Sequence, residues 1–160
     1  MWFTLLACAD RSDPAYAARH LGLLQPVLAS MVARRVDFAR DQGWCRALSY
    51  DRGDFVDTSN PSTCVLDPNF DAAEPPLDAE ARRDLEVWSD GLSAAGAPIH
   101  WVFVGWDAGR PVSYEVALSG WSRLSWEWAP TEPPEQMGSE VVVRPVPGWP
   151  DWYVVIEDWN

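Results

Sequence analysis

The 160-residue chain has no lysine. Its twelve basic residues are all arginine and face 24 acidic ones, for a net charge of −12. A chain this acidic, with no basic stretch, offers no surface for releasing counterions from a phosphate backbone, which argues against nucleic acid as a partner. It argues equally against an anionic membrane surface unless a covalent lipid supplies the anchor. No apolar run approaches the roughly 20 residues that span a bilayer as a helix. Histidine is nearly absent, with only His20 and His100, and the three cysteines Cys8, Cys45 and Cys64 lack zinc-ligand spacing. There is no Gly-x-Ser-x-Gly elbow. Asp51, Asp54, Asp57, Asp67 and Asp71 do not follow an EF-hand loop and read as a solvated acidic segment. No catalytic residue, metal or cofactor is therefore assigned. Arg52-Gly53-Asp54 spells the integrin-binding tripeptide, which recurs by chance and receives no role. Glu115 and Glu127 are the carboxylate pair that a hydrolase would use, on what reads as a solvated strand face.

Tryptophan is abundant, with eleven residues, and 48% of the chain is apolar, enough for the core of one domain. The stretch 99–128 organises the rest. Val112, Tyr114, Val116 and Leu118 alternate with polar residues, as do Leu124, Trp126 and Trp128, the period-two signature of half-buried strands. A three-residue loop at 119–121 keeps these two apolar sets on one face, pairing Val116 with Leu124 and placing Trp121 in the turn. A tight turn at Asp107-Ala108-Gly109-Arg110 then sets Phe103 opposite Tyr114 and Trp101 opposite Val116. The expected core face is Ile99, Trp101, Phe103, Tyr114, Val116, Leu118, Leu124, Trp126 and Trp128. Val102 and Val104 make the first strand apolar on its other side too, as in a central, flanked strand.

Two helices are predicted. The first covers 14–42, with Asp13 as N-cap, Pro14 at the first position, Gly43 as terminator and a kink near Pro26. His20, alone on that helix, reads as a surface residue. The second covers 78–95, capped by Asp78 and closed by Gly96 and Pro98, with a stripe of Ala81, Leu85, Trp88, Leu92 and Ala95. Residues 44–76 read as a long irregular loop that a Cys45–Cys64 bridge would hold together. Residues 140–157 form a last hairpin, with Pro145 and Pro147 suited to an edge strand. The expected architecture is α+β: a mostly antiparallel sheet of about five strands with both helices packed on it, in a single domain over 13–160.

Residues 1–12 form a tether or an N-terminal strand. Leu5-Leu6-Ala7-Cys8 resembles the lipobox of bacterial lipoproteins, in which a small residue precedes the cysteine that is lipidated, and the polar run 10–13 resembles the tether that follows. That resemblance implies a lipid on Cys8 and a place in the cell envelope, lipid-anchored or periplasmic. Consumption of Cys8 leaves Cys45 and Cys64 as an even pair, which suits an oxidising compartment. Trp106, Trp121, Trp149 and Trp152 lie at or beside turns, where stiff aromatic rings can dock a partner. The leading expectation is a non-enzymatic envelope protein that binds a protein or glycan. A cytosolic acidic inhibitor that masks a basic partner, as immunity proteins do, is the alternative, and a hydrolase is third.

Overall fold

A computed structural model describes residues 10–42, 45–57, 64, 75–118, 123–134 and 140–157. Among these residues the chain forms two helices and eight strands, in the order α1 (Pro14–Arg34), β1 (Val36–Asp41), β2 (Arg46–Tyr50), β3 (Gly53–Val56), α2 (Ala79–Ala95), β4 (Trp101–Asp107), β5 (Arg110–Ala117), β6 (Arg123–Trp128), β7 (Val141–Pro145) and β8 (Trp152–Glu157). The α+β class holds, but the strand number does not. All eight strands join one sheet in the order β3-β2-β1-β4-β5-β6-β8-β7, and every neighbouring pair is antiparallel.

The extra strands come from two stretches that read otherwise in sequence. The first helix ends at Arg34 and not at residue 42. Arg35 takes a left-handed conformation (φ 58°) and its N–H bonds back to the helix carbonyls of Met31 and Val32, closing the helix without a glycine. The helix is continuous past Pro26. The presumed irregular loop contains the β2–β3 hairpin, whose turn carries Arg52 and whose β3 begins at Gly53 with φ 126°. Arg52 of the integrin-like tripeptide stacks on Tyr50 and Phe55 and pairs with Glu80, so its guanidinium is tied into the fold.

One register row crosses the whole sheet: Phe55, Leu48, Ala39, Val102, Val116, Trp126, Val154 and Arg144 stand side by side. The six inner members are buried. Both helices lie on this face. From α1, Tyr16 and His20 pack on Trp126, and from α2, Asp84 and Ser89 bond to Tyr50 and Asp41. The helices run antiparallel, because His20 meets Ala95 at one end and Arg34 meets Glu80 and Asp84 at the other. The α2 stripe is as expected from its spacing, with Ala81, Leu85, Trp88, Leu92 and Ala95 all buried and Asp78 accepting from the N–H groups of Glu80 and Ala81.

The central meander is correct in its elements but shifted in β4. Val102 faces Val116, Val104 faces Tyr114, and Phe103 faces Glu115. Trp101 and Phe103 therefore point away from the helices, and Val102 and Val104 fill the core. The cause is a bulge: Trp106 pairs with Pro111 but Gly105 pairs with Ser113, leaving Val112 as an extra residue. One inserted residue reverses every side chain beyond it. In β5–β6 the faces are as expected, but the register differs by two residues. Val116 pairs with Trp126 and Leu118 bonds Leu124, so the connection is longer than three residues.

Candidate binding surfaces

The aromatic residues expected to be free at turns are largely built into the fold. Trp152 is only 4% exposed; it lies opposite Trp128 and stacks with Tyr114. Trp149 is half-buried. Its Nε1 donates to the Ala18 carbonyl at 3.2 Å and its ring lies over Gly22, pinning the β7–β8 turn to α1. Trp106 is half-buried beneath the Arg35 guanidinium, which sits 4.6 Å from its ring and also bonds Asp51 and the Gly109 carbonyl. Trp121 and Cys8 lie outside the described residues. Position beside a turn marks where the chain reverses; it does not show what the turn packs upon, and here α1 lies beneath it.

Both histidines have structural partners. His20 Nδ1 donates to the Ala95 carbonyl at 2.7 Å, and its ring stacks on Trp126, so it is a half-buried clasp between the helices and not a surface residue. Gln42 Nε2 donates to His100 Nδ1 at 2.9 Å. Among the described residues no group of three or more His, Cys, Asp or Glu is placed to hold a metal ion. Asp51 and Asp57 of the acidic segment pair with Arg35 and Arg46.

Two other features have the geometry of binding surfaces. The first is the sheet face turned away from the helices. One of its register rows runs Asp54, Ser49, Phe38, Phe103, Glu115, Glu127, Tyr153 and Pro145. Aromatic rings thus flank two carboxylates that stand directly opposite across β5 and β6. Phe103 is 42% exposed, Phe38 packs against Trp101, and the Ser125 hydroxyl donates to Glu127. Burial of the neighbouring Arg40 pushes its guanidinium below the usual range. At the β2–β3 end the same face is closed by the Cys45–Cys64 disulfide, whose Cα atoms are 5.2 Å apart, packed with Ala47 and Val56. The bridge expected from cysteine parity is therefore formed.

The second is a cleft between α1 and α2 at the end where Arg34 meets Glu80 and Asp84. Its volume is about 170 Å³, and Pro26, Val27, Met31, Leu48 and Trp88 are among its walls. Arg34 ties the mouth by bonding both acids, and Tyr50 donates to Asp84 at 2.9 Å. Burial first, and the adjacent Asp84 carboxylate second, push the Tyr50 phenol far above its ordinary range. The hydrogen bond from Arg34 holds the Glu80 carboxyl below its usual range, with Arg52 adding to the effect. No sequence signal pointed to this cleft, because its walls read simply as the apolar stripes of two helices.

No protein-family model, curated protein or solved structure matches the chain.

Proposed function

We propose that this chain is a non-enzymatic binding protein of the bacterial cell envelope, held there by a lipid on Cys8 or free in the periplasm, and that it presents the outer sheet face to a protein or glycan. The Cys45–Cys64 bridge carries the reading. Such bonds persist in oxidising compartments and are rare in the reducing cytosol. The bridge packs with Ala47 and Val56 on the outer face, at the β2–β3 end of the Phe38–Phe103–Glu115–Glu127–Tyr153 row. The half-exposed rings of this row suit a partner with apolar faces, such as a sugar ring or an aromatic side chain, on which they stack.

The acidic-inhibitor reading draws on the net charge of −12. Arg34, Arg35, Arg46 and Arg52 are each engaged with carboxylates, so the uncompensated charge of the chain is negative and would speed encounter with a basic protein. Compartment separates the two readings. Fractionation of a bacterium expressing the full chain, with alkylation of free thiols before lysis, is expected to find the protein with membranes or periplasm and Cys45 and Cys64 unmodified. Cys8→Ser is expected to release any membrane-bound fraction. Recovery in the cytosol with both thiols alkylated refutes the envelope reading.

A further inference from the structure

We propose that Arg40 is the anion anchor of the outer sheet face, and that its ligand is a carboxylate-bearing sugar, a uronic acid residue within a glycan. The inference rests on the reading that this face meets a partner, and it names the chemistry of that partner.

The first observation is a cation without a counter-ion. The chain has twice as many acidic residues as arginines. Among the described arginine side chains only Arg40 and Arg46 are half-buried, and the others are exposed. Arg46 bonds Asp57 at 3.0 Å and lies 3.9 Å from Asp41. Arg40 has no such partner: burial alone, with no neighbouring charge, sets the state of its guanidinium. A charge drawn out of water without a partner is costly. An anion brought by a ligand answers it.

The second is where this cation sits. Pairing with Ala47 and Trp101 puts Arg40 on the outer face. Its guanidinium carbon lies 5.4 Å from the centre of the Phe38 ring, which packs on Trp101 at 6.0 Å. Phe103, 42% exposed, stands beside Phe38 on β4. Buried Ala47 and the disulfide lie on the other flank. Nε is enclosed and beyond the reach of a ligand. It is the only Arg40 nitrogen that is buried without a partner, so the two terminal amino groups remain open to solvent. Those groups present the planar fork that matches a carboxylate. Beside apolar walls their attraction for an anion is screened less than in open water.

The third is the kind of anion. Phe38, Trp101 and Phe103 offer a platform for the apolar face of a sugar ring. A uronic acid carries its carboxylate one bond from that ring, so few rotations are frozen when both contacts form. The distance from the guanidinium to the Phe38 ring is on the scale of a single six-membered ring. In a peptide the carboxylate and the apolar side chain are joined through freely rotating bonds. The net charge of −12 repels a densely charged polyanion, so the fit is one acidic residue among neutral sugars.

The test titrates methyl glucuronide, methyl glucoside and N-acetylphenylalanine into the purified full chain. Binding is followed by NMR at the Trp101 indole N–H, identified by its loss in Trp101→Phe. Methyl glucuronide is expected to saturate with a Kd of about 1 mM, an ordinary efficiency for its size. Methyl glucoside should bind about 10-fold more weakly, the worth of a charge-assisted hydrogen bond at a half-exposed site. Arg40→Met keeps the apolar stem and removes the charge. It should bring the two sugars to equal affinity and leave the Tm unchanged or raised. Phe103→Ala should weaken both sugars alike, by about 5-fold. Absence of saturable shifts at tens of millimolar glucuronide overturns the proposal, as does equal affinity of the two sugars for the wild-type chain. A preference for glucuronide that survives Arg40→Met overturns it too. Tighter binding of N-acetylphenylalanine than of glucuronide would give the site to a peptide instead. A fall in Tm of more than about 5 °C in Arg40→Met would show that the guanidinium serves the fold, and also overturns the proposal. These outcomes do not depend on compartment, so failure here leaves the envelope reading to fractionation.

Discussion

Breaking the Cys45–Cys64 bridge should destabilise the protein by an amount that follows from its place in the chain. The two cysteines are 19 residues apart. In the chain-entropy account, a cross-link of that span removes about 11 cal/mol/K from the unfolded ensemble, or about 3.2 kcal/mol at room temperature. For a domain of this size that corresponds to a fall in Tm of about 6–13 °C. A second contribution adds to this. Cys45, Ala47, Val56 and Cys64 form a buried cluster on the outer face, apart from the main core, and truncating both sulfurs leaves a void there. Urea melts of oxidised protein, reduced protein and Cys45→Ala/Cys64→Ala separate the two effects. Reduction removes the cross-link and keeps the sulfur atoms, whereas the double variant loses both. Reduced protein should lie about 3 kcal/mol below oxidised protein, and the double variant lower still. A loss on reduction under about 1 kcal/mol would mean that the span is already restrained without the bond, which refutes the entropic reasoning. Free thiols in the native oxidised protein would refute the bridge itself.

Trp88→Ala should cost about 2–4 kcal/mol in a urea melt, below the usual range for a buried tryptophan because the change also removes an N–H with no acceptor; a loss under about 1 kcal/mol would contradict the burial of α2 on the sheet. Trp152→Ala should cost about 3–5 kcal/mol and Trp149→Ala about 1–2 kcal/mol, because the first ring is buried and the second half-buried against α1, with equal losses counting against the assignment. Because Glu80 titrates below its ordinary value of 4.5 in the folded protein, its contribution is full above that pH and is lost as the pH falls through the lowered folded value; Glu80→Gln should therefore flatten the acid limb of the stability curve and leave it unchanged in shape above about pH 5.

The parts of the fold legible in sequence were those set by local chemistry. Asp78 and the i, i+4, i+7 spacing from Ala81 to Ala95 define α2 without reference to anything else. The alternation in β5 and β6 placed Val116 and Trp126 on one face correctly. The first helix was overrun because Phe38 falls in phase with Met31 and Gly43 resembles a terminator, whereas the stop is a left-handed arginine that carries no compositional mark. β2 and β3 do not show in the sequence because five- and four-residue strands are too short to establish a period. The β4 face was inverted by a bulge at Val112, a residue that looks like any strand valine. At the candidate sites, the cysteine pair was legible from the long segment it bounds together with the even pair that remains when Cys8 is set aside. The outer row was hidden by the inverted β4, and the cleft depends on where two helices touch at Gly91, which is a tertiary fact.

The seam between β1 and β4 bears on how the protein can go wrong. Nearly every strand pairs with a neighbour in sequence; β6 skips only to β8, but β1 reaches β4 across the whole of α2. The chain thus divides into two locally closed blocks, β1–β3 and β4–β8, and closing the seam is the one long entropic step in assembling the sheet. Until it closes, each block shows an unpaired strand edge carrying apolar residues, Ala39 on one side and Val102 on the other. Nothing in that edge distinguishes the chain's own partner block from the same block of another copy. At high concentration, exchange of β1–β3 between two molecules, with the β3–α2–β4 connection as hinge, would make every native contact twice over in a swapped dimer.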